Sequence, residues 1–93
     1  MTERIASKQV TVANPQGLHA RPADHLVRLA TEFESKVEIT KEEETVDGKS
    51  ILSILMLAAA QGTELTIQAT GADAEQAVQA LAEFIEKDFP EDG

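Results

Sequence analysis

The chain contains no cysteine, no tryptophan and no tyrosine, and only three phenylalanines. Without cysteine there is no disulfide frame, no thiolate nucleophile and no sulfur ligand for a metal, which fits a reducing compartment. With so few aromatics, the core must be built from Leu, Ile, Val and Ala. Basic residues are scarce as well: eight Lys and Arg stand against seventeen Asp and Glu, for a formal charge of −9. Such a chain repels a phosphate backbone at long range, which argues against nucleic-acid binding. No apolar run approaches the roughly 20 residues of a membrane span, and Met1–Ala6 lacks the apolar segment of a signal peptide. The expectation is a soluble, cytoplasmic, monomeric protein with no membrane insertion.

What is present suffices for one small domain. Ninety-three residues, 42% of them hydrophobic, can form a two-layer core but not a second domain. Residues 1–93 are read as one unit, with 1–7 and 89–93 as loose tails. Lys8–Ala13 alternates with Val10 and Val12 on one face, the pattern of a half-buried strand. Asn14-Pro15 and Gly17 make a turn, and a helix begins near Ala20. Pro22, Leu26, Leu29, Ala30 and Phe33 share one face of it, with Arg21, Asp24, His25, Arg28 and Glu32 outward. Lys36–Thr40 and Glu44–Val46 read as a hairpin whose turn holds Glu42, Glu43 and Glu44, charges that also blunt a sheet edge.

Asp47-Gly48 turns the chain into a short helix, about Ile51 to Ala60, capped by Ser50 and ended by Gly62. Ile51, Ile54, Leu55 and Ala58 form one apolar stripe on it, and Leu52 and Met56 a second. That is more than one face can bury against a sheet, so part must stay exposed. Glu64–Ala69 alternates with Leu65, Ile67 and Ala69 inward. Asp73 and Gln76 have the spacing of a capping box ahead of a last helix, about Ala74 to Asp88. Its buried stripe is Ala77, Val78, Leu81, Phe84 and Ile85. Strands that alternate in face, interleaved with amphipathic helices, imply an α+β fold of one sheet with its helices on one side. Periodicity alone leaves the strand order open.

Chemistry concentrates in Asn14 to Ala23. Pro22 is tolerated in a first helical turn, where its missing N–H removes no helical bond. His19 then falls at or beside the N-cap, close to the N–H groups of Ala20 and Arg21 and to the positive end of a helix dipole worth about half an elementary charge. With the guanidinium of Arg21 as a planar fork, this is a small phosphate cradle with an imidazole nucleophile beside it. Taken alone, the residues also allow His19 to be a plain helix cap. His25 sits on the outer helix face and reads as a solvated residue. It has no i,i+4 histidine partner, and no metal site is expected.

Gly17-Leu18-His19-Ala20-Arg21-Pro22-Ala23 closely resembles the active-site segment of the histidine-containing phosphocarrier (HPr) family of the phosphoenolpyruvate-dependent sugar phosphotransferase system. Asp47-Gly48-Lys49-Ser50-Ile51-Leu52-Ser53-Ile54-Leu55-Met56-Leu57 is similar to that family's regulatory-serine helix. The resemblance runs from about Lys8 to Phe84. It implies an open-faced two-layer sandwich: a four-stranded antiparallel sheet of order 1-4-2-3 with three helices on one face. It implies a carrier rather than an enzyme, with no cofactor. In that role His19, through Nδ1, accepts a phosphoryl group from phosphorylated Enzyme I and passes it to an Enzyme IIA domain.

Arg21 would offset the roughly two negative charges of the phosphate, alongside the backbone N–H groups of Ala20 and Arg21. Ser50, a cap on any reading, would also be the target of an HPr kinase/phosphorylase and would stand near His19. Ile51, Leu52 and Leu55 are either core or, by the resemblance, a docking patch ringed by Arg28 and Lys49. The alternative to a carrier is a regulatory interaction module, in the nitrogen branch or phosphorylated on serine, that reports metabolic state to partner proteins.

Overall fold

Alternate positions of the strands meet on one side of the sheet, and that side carries the core. The computed structural model describes residues 4–87. Its elements run β1 (Ile5–Thr11), α1 (Ala20–Thr31), β2 (Lys36–Lys41), β3 (Glu44–Asp47), α2 (Ile51–Leu57), β4 (Glu64–Thr70) and α3 (Ala74–Glu86). The strands pair antiparallel in the order β1-β4-β2-β3, the order implied by the family resemblance. Val10 stands opposite Leu65, and Ile39 opposite Ile67. These four, with Val37 and Ala69, are buried under the three helices. From α1 come Ala23, Leu26 and Ala30, and from α3 come Ala77, Val78, Leu81 and Ile85. Each fully buried Leu or Ile contributes about 1.5–3 kcal/mol of transfer free energy. Phe33 and Phe84 only pack against the edge of this aliphatic core. Ala23 extends the buried stripe of α1 beyond the positions its spacing suggested.

Boundaries differ from the expectations at β1 and at α2. β1 begins at Ile5, within the stretch read as a loose tail. Its main chain pairs with β4 from Ile5 opposite Thr70 onward, and Gly71 donates its N–H to the Arg4 carbonyl at 2.8 Å. The side chains of this edge segment are mostly exposed, so no apolar alternation marked it. The expected tail at 89–93, and Asp88 at the expected end of the last helix, lie outside the described residues.

α2 stops at Leu57, not at Ala60, and the residue that stops it is Ala58 rather than Gly62. Ala58 is left-handed (φ 53°, ψ 47°), a conformation that costs a non-glycine residue about 1–2 kcal/mol. Lys41 compensates the helix end by donating from Nζ to the Leu57 carbonyl at 2.9 Å. The three alanines 58–60 read as helix, but they leave it as an irregular segment whose Ala59 carbonyl accepts the Leu18 N–H. Gly62 instead turns the chain into β4, with its N–H on the Val12 carbonyl at 2.9 Å.

Asp73 occupies the N-cap of α3 without making a side-chain cap bond. Its carboxylate accepts from the Glu34 N–H at 2.9 Å, the Ser35 N–H at 3.0 Å and the Ser35 hydroxyl. The expected capping box is therefore replaced by a tie between α3 and the α1–β2 connection. Donation from the Ser35 hydroxyl, then from the Glu34 N–H, holds the Asp73 carboxyl below the ordinary aspartate range, against opposing desolvation.

Candidate functional site

The turn Asn14–Gly17 fits a type I pattern, with Asn first, Pro second and Gly fourth. Gly17 donates its N–H to the Asn14 carbonyl at 2.8 Å, and the Asn14 carboxamide donates from Nδ2 to the Gly17 carbonyl at 2.8 Å. Gly17 has φ +73°, and a Cβ on it would lie 2.5 Å from the Ala59 oxygen and 2.9 Å from the Ala60 Cα. Only glycine fits both the conformation and the space. The next residue, buried Leu18, donates its N–H to the Ala59 carbonyl at 2.9 Å. Residues 58–60 thus form the wall against which the loop is set.

His19 follows as the N-cap of α1, in extended conformation (φ −81°, ψ −167°), and its side chain makes no capping bond. The first intrahelical bond runs from the Ala23 N–H to the His19 carbonyl at 2.9 Å. Pro22 has no N–H, so the amides of Ala20 and Arg21 are the ones that stand ahead of the helical ladder. His19 is half-buried, whereas Ala20 and Arg21 are exposed. The histidine borders an open hollow of about 280 Å3, shared with Gln16, Leu18, Leu55, Ala58, Ala59 and Ala60. The imidazole borders this hollow at the start of α1, with the first amides of the helix next in the chain and Arg21 two residues on, an order of groups that suits a tetrahedral anion arriving from outside. His25 is exposed and sets its ring edge-on to Phe84, with centroids 6.3 Å apart. Among the described residues no group of three or more His, Asp or Glu could hold a metal ion.

The other predicted residues divide. Leu55 is half-buried and lines the His19 hollow. Leu52 is 70% exposed and Ile51 36%, while Met56, one turn on from Leu52, is 74% exposed. The exposed apolar face of α2 is therefore Leu52 and Met56, with Ile51 at its margin. Met56 shares the second apolar stripe with Leu52 by its i,i+4 spacing, although the docking patch implied by the resemblance does not include it. Arg28 is paired with Asp24 at 2.9 Å on the same helix, and its side chain is 77% exposed. Such a pair contributes only about 0.3–0.5 kcal/mol. Lys49 donates from Nζ to the Phe33 carbonyl at 2.8 Å in a half-buried position. Its ammonium satisfies a carbonyl just past the end of α1.

Ser50 is the N-cap of α2, its Oγ accepting the Ser53 N–H at 3.3 Å. Lys49 reaches the chain just past the C-terminal end of α1, whereas the far end of α2, from Leu55 to Ala58, lines the hollow. The start of α2 is thus about 7.5 Å of helix rise away from Leu55, at about 1.5 Å per residue.

The profile of the PTS-HPr family, described as "PTS HPr component phosphorylation site", matches residues 6–87. The phosphocarrier protein HPr of Lysinibacillus sphaericus is 44% identical over 81 residues, covering 87% of this chain and 92% of that protein. Its counterpart in Neisseria meningitidis serogroup A is 39% identical over 87 residues, covering 94% and 98%. The crystal structure of an HPr from Bacillus anthracis superposes with a TM-score of 0.85 at 41% identity, covering 87% of this chain and 96% of that one. The chain belongs to the HPr family, the phosphocarriers of the phosphotransferase system. It is a phosphoryl carrier rather than a catalytic enzyme. Among the described residues no helix is long and apolar enough to cross a membrane.

Proposed function

We propose that His19 is the phosphoryl acceptor, charged by phosphorylated Enzyme I and discharged to an Enzyme IIA domain in the cytoplasm. The observation that carries this reading is the position of His19 at the N-cap of α1, on the mouth of an open hollow, with Arg21 two residues on. A lone pair of an imidazole nitrogen, Nδ1 by the family resemblance, attacks phosphorus as the bond from phosphorus to the donor breaks. In the second transfer the acceptor attacks and the bond between His19 and phosphorus breaks. Charge on the three remaining phosphoryl oxygens is met by the guanidinium of Arg21 and by the amides that start α1. This is positioning and electrostatic stabilisation with no further covalent chemistry from the protein.

The exposed pair Leu52 and Met56, with Leu55 at the hollow, supports docking of partners beside the acceptor. A small apolar patch of this kind suits the weak, transient encounters a carrier must make. Ser50 supports a second, regulatory reading of the same face: a phosphate there would sit on the start of α2 and charge the edge of the docking patch. Mapping the phosphorylated residue by 31P and 15N NMR after incubation with Enzyme I and phosphoenolpyruvate tests the acceptor assignment. Phosphate on any residue other than His19 overturns it.

A further inference from the structure

Asn14 is only 1% exposed and is, with Ser35, one of two buried polar residues among the described ones. Ser35 bonds Asp73 across the fold, whereas Asn14 bonds Gly17 within the turn that delivers His19. Its carbonyl accepts the Gly17 N–H, and its Nδ2 donates to the Gly17 carbonyl, both at 2.8 Å. Gly17 is thereby held from both of its peptide groups. The remaining carboxamide oxygen, Oδ1, is buried with no hydrogen-bond partner. Buried acceptors are normally paired, so a residue that leaves one unpaired must gain from what its other end does. The donor end is the half of Asn14 that no other side chain of its size supplies: an aspartate would set an acceptor against the Gly17 carbonyl, and a leucine would offer nothing.

Resting on the reading of His19 as acceptor, we infer that Asn14 is a positioning residue for phosphoryl transfer, fixing the His19 loop through its Nδ2 bond to Gly17. The chain of contact is short. Asn14 sets the plane of the Gly17 peptides, Leu18 is pinned to Ala59, and His19 follows directly as the helix cap. With the loop fixed at both Gly17 and Leu18, the imidazole enters the reaction without a search for its geometry. Loss of such pre-organisation slows transfer by tens to hundreds of fold for displacements on the order of 1 Å. Asn14 is buried and so offers no side-chain surface to a docking partner, which sets its effect apart from that of Leu52 or Arg21.

Enzyme I turnover with the carrier as varied substrate separates these roles. Asn14→Asp keeps the shape and replaces the donor with an acceptor. Asn14→Ala deletes the amide, and serves if a buried carboxylate unfolds the chain. The expected result is a kcat lowered by roughly 10- to 100-fold with KM for the carrier within about twofold of the parent, measured well below the melting temperature. Amide exchange at Gly17 and Leu18 should quicken in the variants while Ile67 in the sheet stays protected. In the parent protein both loop amides should exchange slowly, a measurement that stands even if neither variant folds. Parent-like kcat in a folded variant, or rapid exchange of Gly17 and Leu18 in the parent, overturns the inference. Phosphate appearing elsewhere than His19 in the parent overturns instead the acceptor assignment on which it rests.

Discussion

The N–H of Leu18 donates to the carbonyl of Ala59 at 2.9 Å, joining the loop that delivers His19 to the segment that leaves α2. This bond requires α2 to stop short: with three further residues of helix the Ala59 carbonyl would point along the helix axis instead of at Leu18, and residues 58–60 would no longer wall the hollow. Gly17 makes the approach possible, and Ala58 accepts a left-handed backbone so that the segment can turn out of the helix.

Gly17→Ala should therefore damage both stability and transfer. The new Cβ would collide with main-chain atoms that cannot swing aside, at a left-handed φ. The expected cost is at least about 1–3 kcal/mol, read by chemical denaturation, with slowed phosphorylation of whatever fraction folds. Parent stability in this variant would contradict the described packing of the loop.

Arg21→Ala should do the opposite and leave stability nearly unchanged. The residue is exposed on the first turn of α1, where alanine is a good helix former. Transfer should slow by about 10²–10³-fold, equivalent to about 2.7–4 kcal/mol, if its guanidinium stabilises charge as preorganised donors do elsewhere. Rapid-quench phosphorylation kinetics beside a thermal melt give both numbers.

Ser50→Asp and Leu52→Ala test the outer face of α2. Aspartate is as good an N-cap as serine and complements the helix dipole, so the melting temperature should hold. Its charge at the edge of an apolar patch should weaken binding to Enzyme I, which is itself a partner that must be desolvated there. Leu52 is 70% exposed, so its truncation should cost less than about 0.5 kcal/mol, far below the 2–5 kcal/mol of a buried leucine. Titration calorimetry of each variant against Enzyme I should show weaker binding for both.

The tie between Asp73 and Ser35 predicts an acid-sensitive stability. The folded-state pKa of Asp73 is lowered, with the Ser35 hydroxyl as the largest cause. A lowered carboxyl pKa means the folded state binds the proton less readily than the unfolded chain. Its stabilisation is present above the unfolded value, about 3.9, and is lost as pH falls through the folded value. Ser35→Ala should return the pKa toward the ordinary one, lower the melting temperature at neutral pH, and narrow its gap to the parent in acid. An unchanged gap across that range would contradict the tie.

Much of this was legible in the sequence because the signals were local. Val37 and Ile39, or Leu65 and Ile67, announce their strands by alternation, and Ser50 announces its cap by residue type. Gly17 to Ala23 placed His19 at a helix start. What stayed hidden depends on partners distant in the chain. Asp73 bonds across 38 and 39 residues instead of capping its own helix, Lys49 reaches Phe33, and Lys41 reaches Leu57. The sequence does not distinguish an alanine that continues α2 from one that ends it, and it does not show which distant carbonyl a lysine will reach. Ile5 to Ser7 joined the sheet through main-chain bonds to β4, to which side-chain periodicity is blind.

The most direct test of the central claim is labelling of the parent chain and of His19→Ala with Enzyme I and labelled phosphoenolpyruvate. One phosphate per chain, lost in acid and retained in base, should appear on the parent and be absent from a folded His19→Ala protein. Labelling of His19→Ala to the parent level would contradict the assignment of His19 as the phosphoryl acceptor.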